Sequence, residues 1–376
     1  MPSLRTAFLR FSLAAFIGTA AARADVAPAP EAAVPAQTPQ ALRVQGNRLV
    51  TVNGGKEVWL QGVNVPSLDW GVKGEALLLS VTTAIDGWKS NVIRLPVKEE
   101  FWFGKGTKHN TRSDGGESYR ALVDQAIALA SGKGAYVVLD LHRYRAPRKE
   151  YLDFWTDAAT RYKNNPAVLF DLLNEPHGIT WPLWRDGGFI EEKKKKGDED
   201  AFTTPEEKLN NKHGFQSPGM QAMIDAVRAT GAKNIVVIGG LSYAYDLSGV
   251  VNGFALKDAT GNGIMYSTHV YPWKKGWQKM FLDVAAKHPV LLGEVGADVK
   301  KMKFIPAASQ ENAETWVPAI LGAIQKYKLN WTGWAFHSKA SPRMLLDWEY
   351  TPTPVWGQPA KDALAGKQFP PPDRLR

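Results

Sequence analysis

The sequence predicts an α/β fold, a single (β/α)8 (TIM) barrel that occupies residues 42–376 of the 376-residue chain. Short apolar runs alternate with longer amphipathic stretches along this region, which is the pattern of repeated βα units. Most of the short runs are continuously apolar, as expected for parallel strands that are buried on both faces. Barrels of this class take about 250 residues and can exceed 400, so one domain accounts for this length.

Eight runs are strand candidates, and amphipathic helical stretches separate most of them. The strand candidates are Leu60–Val65, Val92–Val97, Tyr136–Leu141, Val168–Leu173, Ile235–Ile238, Ile264–Thr268, Pro289–Leu292 and Asn330–Ala335. The helix candidates include Tyr119–Ala130, Glu150–Tyr162, Met220–Thr230, Gly276–Ala286 and Thr315–Tyr327. A doubly wound open sheet is the rival fold, but Gly71–Gly74 does not supply the glycine-rich phosphate loop that such a sheet uses.

The N-terminal residues have the features of an export signal. Arg5 and Arg10 precede a short uncharged apolar run, and small residues flank a cleavage point before Asp25. The run is shorter than the ~20 residues of a membrane span. We therefore expect residues 1–24 to be a signal peptide and the mature chain to be secreted, periplasmic or extracellular, without stable membrane association. An uncleaved N-terminal anchor is the alternative.

Two further segments frame the predicted barrel. Residues 25–41 are rich in Ala and Pro, which predicts a flexible linker. Val44–Val52, with Gly46-Asn47 at its centre, is followed by Val58–Leu60 and predicts a β-hairpin that caps one end of the barrel. A long, Lys-rich loop follows the fourth strand, from about Gly178 to Ser217.

Composition excludes several classes of function. The chain has no cysteine, so thiol catalysis, disulfide scaffolds and cysteine-ligated metals are excluded. The net charge of +9 raises the question of nucleic acid. However, the densest basic run, Lys193–Lys196, is surrounded by acidic residues, which is typical of a solvated loop, so we expect no nucleic-acid partner. The 14 Trp residues are numerous, and Trp often stacks on sugar rings or fills a core.

Polar side chains stand at the carboxyl ends of the predicted strands, which meet at the catalytic face of a barrel. They are Arg94, His142, Asn174, Glu175, His269, Tyr271, Glu294 and Trp334. A single acid at a strand end often caps a helix. Glu175 and Glu294 both follow apolar strands, however, where a charge is costly unless it has a partner. Two facing acids with these neighbours predict an active site.

Two carboxyl groups across a barrel mouth suit the cleavage of a glycosidic bond, in which one group is protonated and the other ionised. The positive charge of Arg94 would favour the ionised form of Glu294, and the Tyr271 hydroxyl could donate to it. Asn174 could bind a sugar hydroxyl, and Trp334 offers a flat face for a pyranose ring.

The two histidines, His142 and His269, could orient carboxylates and sugar hydroxyls. They could also be metal ligands in a different barrel enzyme, but the cluster lacks a further carboxylate of its own for a metal, so we expect no metal and no cofactor. Among the weaker candidates, Trp181, Trp184, Trp273 and Trp277 fall on loops of the catalytic face, as sugar platforms or as packing beneath those loops. We assign Trp181 and Trp273 to substrate binding. Tyr243 and Tyr245, after the fifth strand, are further candidates for lining the cleft, with packing as the alternative.

The eight residues at the strand ends resemble, in kind and order, the motif set of glycoside hydrolase family five, a large family of cellulases and mannanases. The resemblance extends from about Leu42 to Trp356. It implies a retaining double displacement, with Glu175 as the acid/base and Glu294 as the nucleophile. The long loop from Gly178 to Ser217 departs from the family pattern.

We therefore expect a cofactor-independent, monomeric, retaining endo-β-glycanase that hydrolyses β-1,4-glucan. An endo-β-1,4-mannanase or another β-glycan hydrolase of the same family is the alternative, because glucan and mannan differ only at the C2 hydroxyl. A non-catalytic carbohydrate-binding barrel is the alternative from another class, although such a protein would normally lack one of the two glutamates. A retaining enzyme should hold its two carboxyl groups about 5–5.5 Å apart.

Overall fold

A computed structural model describes residues 32, 34–106, 114–191, 214–303 and 305–376. The predicted signal peptide, the first part of the predicted linker, the basic run Lys193–Lys196 and most of the loop after the fourth strand lie outside these residues.

Eight parallel strands form a closed barrel, which confirms the predicted fold class. In chain order the barrel strands are Gln61–Asn64, Val92–Val97, Tyr136–Leu141, Val168–Asp171, Val236–Gly239, Ile264–Val270, Val290–Val295 and Asn330–Gly333. Each strand pairs with the next along the chain, and the eighth closes the barrel on the first by pairing Trp331 with Gln61. All eight predicted strands are present, with bounds that differ by a few residues.

Helices surround the barrel. The α-helices are Leu77–Thr82, Glu99–Trp102, Glu117–Gly132, Lys149–Tyr162, Trp181–Asp186, Gly219–Ala229, Asp283–Ala285, Ala313–Tyr327 and Gly357–Leu364. The described residues also contain three π-helical turns (Thr83–Gly87, Val250–Phe254 and Gln278–Leu282) and a 3-10 turn (Ala307–Ser309). The predicted helix Gly276–Ala286 is thus a π turn followed by one short α-helical turn.

The helix Lys149–Tyr162 shows why these segments are helical and how they dock. Its buried residues are Tyr151, Phe154, Trp155, Ala158, Ala159 and Tyr162. Their spacing of three and four residues places them on one stripe of the helix, which packs against the outside of the barrel. The Trp155 indole N–H donates to the carbonyl of Leu172, which fixes the helix to the end of the fourth strand.

Besides the large core between the strands and the surrounding helices, a smaller apolar core fills the interior of the barrel at the amino ends of the strands. It contains Leu60, Val92, Tyr136, Val138, Ala167, Leu169, Ile235, Val237, Met265 and Leu291, together with Leu42 and Leu49. Leu42 and Leu49 belong to the predicted hairpin, strands Leu42–Gln45 and Arg48–Thr51, which gains a third strand at Glu57–Val58. This small sheet closes the end of the barrel that is opposite the strand carboxyl ends.

The described part of the predicted linker contacts the barrel. The backbone N–H of Ala32 donates to the Arg161 carbonyl at 3.1 Å, and the Tyr136 hydroxyl donates to the Gln40 carbonyl at 2.9 Å. Both hydrogen bonds join described residues of this segment to the barrel domain. None of the described helices combines the length and apolar character that a membrane span requires.

Candidate active site

The inward-facing side chains of the barrel change from apolar to polar toward the carboxyl ends of the strands. On the third strand, Val138 lies in the inner core and Asp140 follows it two residues later. On the fourth strand, Leu169 is followed in the same way by Asp171. Successive residues of a strand alternate between faces, so residues two apart point into the same interior, and the polar ones collect above the apolar ones.

Arg94, on the second strand, is the centre of this polar layer and is fully buried. Its guanidinium contacts Asp171 Oδ2 (3.0 Å), Asn64 Oδ1 (3.0 Å), Glu294 Oε1 (3.3 Å), Asn174 Oδ1 (2.8 Å) and Asp140 Oδ1 (3.1 Å). Burial opposes the charge of Arg94, but the surrounding carboxylates outweigh it and raise its pKa. Arg94 therefore stays a cation, and its donors fix the positions of the Glu294 carboxylate and the Asn174 amide at the barrel mouth.

Glu294 lies on the seventh strand and is 5% exposed. Arg94 donates to its Oε1, and the Tyr271 hydroxyl donates to its Oε2 at 2.5 Å. Burial raises the pKa of Glu294 above its ordinary value, while the charge of Arg94 and the hydrogen bond from Tyr271 lower it. Each oxygen of Glu294 thus has a hydrogen-bond donor, while the net shift of its pKa is upward.

Glu175 is positioned by a short turn after the fourth strand. The two-residue strands Glu175–Pro176 and Tyr144–Arg145 pair in parallel, and the Glu175 N–H donates to the Arg143 carbonyl at 3.1 Å. Burial raises the pKa of Glu175 well above its ordinary value, and the nearby charge of Glu294 raises it further. The protonated form of Glu175 is therefore favoured relative to that of an exposed glutamate.

His269 connects the two glutamates. Its Nδ1 lies 3.0 Å from Glu175 Oε1 and 3.6 Å from Glu294 Oε2. Burial and the charge of Arg94 lower the pKa of His269 well below its ordinary value, so the imidazole is neutral. A side chain at Gly293 would place its Cβ 3.1 Å from His269 Nε2 and 2.5 Å from Ser267 Oγ, so this position keeps room for the imidazole.

The two carboxyl groups are close neighbours. One oxygen of Glu175, one oxygen of Glu294 and a nitrogen of His269 all lie within 4.8 Å of one another. Inverting enzymes need about 6.5 Å or more between their carboxyl groups to admit a water molecule.

By distance alone Glu175, His269 and Glu294 could also hold a metal ion. However, His269 shares its Nδ1 with Glu175, and Glu294 accepts from both Arg94 and Tyr271.

His142 and Trp334 form one wall of the site. The His142 Nδ1 lies 2.6 Å from Asp140 Oδ2, and its ring stacks on Trp334 at 5.5 Å with an angle of 8° between the planes. Burial opposes a charge on His142, but Asp69 and Asp140 raise its pKa overall. The Trp334 carbonyl accepts from the Trp356 indole at 2.7 Å. Trp334 is partly exposed, so part of its indole ring is open to solvent.

The four tryptophans that were loop candidates for sugar binding divide into two groups. Trp273 is half-buried and stacks at 4.9 Å on Tyr271, the residue that donates to Glu294. Trp181 is half-buried and packs between Trp184 and Phe254. A Cβ at position 249 would lie 2.2 Å from the Trp181 ring, so the loop closes tightly over it. This contact favours packing beneath the loop, and the binding role of Trp181 stays a prediction.

Trp184 and Trp277 are packing residues. Both are fully buried, and their indole N–H groups donate to the carbonyls of Gly239 and Lys274. Their burial removes them from the candidates for sugar stacking.

Four residues of the site were not recognised in the sequence. Asn64 accepts from Arg94 and donates to the Gly293 carbonyl at 2.9 Å. Asp140 and Asp171 both flank Arg94, and the Tyr144 ring packs edge-on against His142 at 5.6 Å. The two aspartates carried a readable signal, since each is a charged residue inside a continuously apolar strand. Asn64 and Tyr144 have no comparable signal.

The fold and the paired carboxyl groups define a glycoside hydrolase of the barrel class. The family model for cellulase, glycosyl hydrolase family 5, matches residues 52–340. The protein belongs to this family. The match covers the strand ends that carry Arg94, Glu175, Glu294 and Trp334.

Curated relatives are similar at low identity. Endoglucanase from Paenibacillus polymyxa is 24% identical over 371 residues, which cover 85% of this chain and 85% of that protein. Endoglucanase A from Butyrivibrio fibrisolvens is 29% identical over 150 residues, 39% of this chain. Endoglucanase 5 from Pectobacterium carotovorum subsp. carotovorum is 22% identical over 84% of this chain. The matched regions span 33% of the Butyrivibrio protein and 54% of the Pectobacterium protein.

Solved structures share the fold. β-Glucanase SdGluc5_26A from Saccharophagus degradans superposes with a TM-score of 0.70 at 23% identity, covering 91% of this chain and 98% of that one. The catalytic domain of Thermobifida fusca endoglucanase Cel5A superposes with a TM-score of 0.61 at 15% identity, covering 86% of this chain and 97% of that one.

Proposed function

We propose that the protein is a secreted, retaining endo-β-1,4-glucanase that hydrolyses its substrate by double displacement. The observation that carries the proposal is the pair of unequal glutamates. Burial and the charge of its neighbour raise the pKa of Glu175 well above its ordinary value, whereas Glu294 accepts hydrogen bonds from Arg94 and Tyr271. Environments that push two carboxyl groups apart in this way assign the acid and the nucleophile.

In the first step, Glu294 attacks the anomeric carbon and forms a covalent glycosyl ester. The bond to the leaving oxygen breaks, and Glu175 transfers its proton to that oxygen. In the second step, Glu175 takes a proton from water, the water oxygen attacks the anomeric carbon, and the ester bond to Glu294 breaks. Both displacements occur at the same carbon, so the product keeps the configuration of the substrate.

The neighbouring residues serve these steps. Arg94 and Tyr271 hold the Glu294 carboxylate and orient it for attack. Neutral His269 hydrogen-bonds Glu175 without adding a positive charge that would favour loss of its proton. Asn174, held through its carbonyl oxygen by Arg94, and the wall formed by His142 and Trp334 bind the sugar on the side that becomes the glycosyl ester.

The preference for β-1,4-glucan rests on the relatives. The curated relatives described above carry the name endoglucanase. SdGluc5_26A was also solved in complex with cellotetraose, and that structure superposes with a TM-score of 0.70. A β-mannanase remains the second candidate because the two polymers differ at one hydroxyl.

Hydrolysis of cellulose, glucomannan, mixed-linkage glucan and xylan by the purified protein tests the substrate. We expect the glucans to be cleaved internally, which is detected as a fast loss of viscosity with little reducing sugar. NMR of the first-formed product should show the β-anomer. Preferred cleavage of mannan would overturn the substrate, a first-formed α-anomer would overturn the mechanism, and binding without hydrolysis would indicate a non-catalytic barrel.

Secretion and a monomeric state are further parts of the proposal. N-terminal sequencing of the protein from the periplasmic and extracellular fractions should find a chain that starts at Asp25. Light scattering of that chain should give the mass of one copy, and a dimer would contradict the expectation.

A further inference from the structure

The loop after the sixth barrel strand begins with a residue that the proposed mechanism uses. Tyr271 donates to Glu294, and Trp273 stacks on the Tyr271 ring. The Tyr271 carbonyl accepts from the N–H of Lys274 at 2.9 Å, so the loop turns back directly after the residue that carries the hydroxyl. The contacts that fix the rest of this loop, residues 272–277, therefore decide how firmly the Tyr271 hydroxyl is held on Glu294.

A segment that is distant in the sequence reaches this loop. After the helix Gly357–Leu364, the chain crosses the helix Ala313–Tyr327. A Cβ at Gly322 of that helix would lie 2.0 Å from the Pro370 carbonyl oxygen, so glycine allows this close crossing. The segment then brings Arg376 against the loop.

Arg376 holds one end of the loop through its backbone. Its carbonyl oxygen accepts from the N–H groups of Gly276 and Trp277, both at 2.7 Å. Trp277 is fully buried, and its indole N–H donates to the Lys274 carbonyl at 3.0 Å. This end of the loop is thus fixed between the Arg376 backbone and the core.

Glu311 joins Arg376 to the other end of the loop. The Arg376 Nε donates to Glu311 Oε2 at 2.6 Å, and the two side chains are only 19% and 24% exposed. The Glu311 N–H donates to the Pro272 carbonyl at 3.2 Å. The guanidinium also lies 5.7 Å from the Trp277 ring centroid. One ion pair therefore connects the groups that hold the two ends of the loop.

We propose that Arg376 is a positioning residue for the hydrolysis: paired with Glu311, it clamps the loop 272–277 and thereby holds the Tyr271 hydroxyl on Glu294. This inference rests on the proposed function, in which Glu294 attacks as a carboxylate. A partly buried ion pair is screened by salt much less than an exposed one, so the clamp persists at physiological ionic strength.

The acid side of the pH profile reports the hydrogen bond between Tyr271 and Glu294. The titratable and charged groups that face Glu294 are Arg94, Asp140, His142, Tyr144, Glu175, His269 and Tyr271. Burial raises the pKa of this carboxyl group, whereas Arg94, His142 and the hydrogen bond from Tyr271 lower it. Glu294 must be ionised to attack, so its pKa sets the acid limb of kcat/KM. A looser clamp weakens the hydrogen bond and should move that limb to higher pH.

The experiment measures kcat/KM against pH on an activated aryl β-cellobioside for Arg376→Ala, Arg376→Lys and Glu311→Gln. Ala removes the guanidinium, and Lys restores a positive charge. Gln keeps the backbone donor to Pro272 and removes the negative charge. Arg376→Ala is also combined with Tyr271→Phe, which lacks the hydroxyl.

Arg228→Ala is the matched control. The Arg228 guanidinium also binds a carboxylate and a backbone carbonyl, those of Asp258 (2.8 and 2.9 Å) and Ala232 (2.9 Å). It lies near the end of the helix Gly219–Ala229, which leads to the amino end of the fifth strand and so away from the catalytic face. This variant should lower stability without moving the acid limb.

We expect Arg376→Ala to move the acid limb upward by about 0.5 pH unit, a roughly threefold loss of kcat/KM on the acid side. Arg376→Lys should restore most of this loss, and Glu311→Gln should give a smaller shift of the same sign. In the Tyr271→Phe background, Arg376→Ala should not move the limb further, because the hydroxyl through which it acts is gone. Hydrogen exchange at the N–H groups of Gly276 and Trp277, followed by NMR, should be faster in Arg376→Ala.

A uniform loss of kcat/KM at every pH in Arg376→Ala would show that Arg376 is only structural and would overturn the inference. An equal shift with and without the Tyr271 hydroxyl would overturn it as well, and so would unchanged hydrogen exchange at Gly276 and Trp277. The wild type tests the proposed function separately. Absence of hydrolysis, or hydrolysis with inversion, would overturn that function, whereas an unmoved acid limb in variants of a retaining enzyme overturns the clamp alone.

Discussion

The two halves of the barrel interior are built from the same strands and differ completely in character. The half at the amino ends is an apolar core in which Val138 and Leu169 pack under the small N-terminal sheet. The half at the carboxyl ends holds Arg94 among buried carboxylates. Two residues along one strand separate the two environments. The apolar half at the amino ends (the lower half) stabilises the barrel. The half at the carboxyl ends (the upper half) can therefore hold groups that are unfavourable to bury.

The energetic difference between the halves follows from solvation. Apolar burial stabilises by roughly 25 cal/mol for each Å² removed from water. A buried ion loses its hydration, at a cost of several kcal/mol that only well-placed partners offset. In the upper half one guanidinium faces Asp140, Asp171 and Glu294, and burial raises the pKa of Asp171 to about 8 in spite of Arg94. This half is therefore arranged for reactivity at the expense of stability.

The largest expected effect is on the chemistry of the upper half. Glu294→Ala should lower turnover by on the order of 10⁴-fold or more, as expected when a nucleophile is removed. Azide acting directly on the substrate should give the α-glycosyl azide. Glu175→Ala should impair substrates with poor leaving groups and spare the first step for an activated aryl glycoside. Azide should partly rescue this variant and give the β-glycosyl azide.

The anomeric configuration of the azide product, read by NMR, distinguishes the two roles. Exchanged configurations between the variants would reverse the assignment of Glu175 and Glu294. Full activity of either variant would contradict it.

The second prediction compares the halves directly by their stability. Arg94→Met removes the guanidinium partner of Asp140, Asp171 and Glu294 and should cost about 3–5 kcal/mol of unfolding free energy. Leu169→Ala, in the lower half, should cost a similar ~2–5 kcal/mol through loss of apolar contacts and a cavity. Only Arg94→Met should change the pH profile of the protein that remains folded. Urea denaturation and kcat/KM against pH measure both, and a changed profile in Leu169→Ala would remove the distinction.

A third, smaller effect concerns the cost of keeping Glu175 protonated. Its pKa in the folded protein is raised well above the ordinary value of 4.5. Below pH 4.5 both states hold the proton, and as the pH rises the unfolded state loses it first, so stability falls. Glu175→Gln removes this cost and should stabilise the protein by about 0.5–2 kcal/mol at neutral pH, with no gain at pH 4.

Glu75→Gln is a control of opposite sign. Glu75 is exposed, and its hydrogen bond from Lys339 lowers its pKa. It therefore contributes stability above its unfolded pKa, and the variant should be slightly less stable at neutral pH than at low pH relative to the wild type. Urea unfolding at pH 4 and pH 7 gives both comparisons. A neutral-pH loss of stability in Glu175→Gln would contradict the raised pKa.

The sequence predicted the barrel and most of the site because both depend on local signals. Continuous apolar runs mark the strands, and a polar residue at the end of such a run marks the catalytic face, as for Arg94 and Glu294. The partners of these residues come from other strands. Asn64, which contacts Arg94, lies inside an unremarkable segment, so only the closed barrel reveals its role.

Side-chain direction on loops was the least predictable feature. Trp273 and Trp277 are four residues apart on one loop, yet Trp273 stacks on Tyr271 and Trp277 is fully buried. Tertiary packing decides between these two outcomes, and composition does not. The left-handed turn at Ser242–Ala244 contains no glycine, so no residue type announces it, and its stabilising contacts with Pro176 and Lys274 arise only in the fold.

The smallest expected effect is that of removing metal ions, which tests whether the upper half contains a metal site. Glu175, His269 and Glu294 are close enough to share an ion. The Arg94 guanidinium lies 3.3 Å from Glu294 Oε1, so a divalent cation bound to this cluster would be close to another positive charge. It would also displace the hydrogen bonds that Tyr271 and His269 make with the two glutamates. Like charges at such distances disfavour binding. We therefore expect dialysis against a chelator to leave kcat/KM unchanged. A loss of activity that zinc or magnesium restores would contradict this and make the cluster a metal centre.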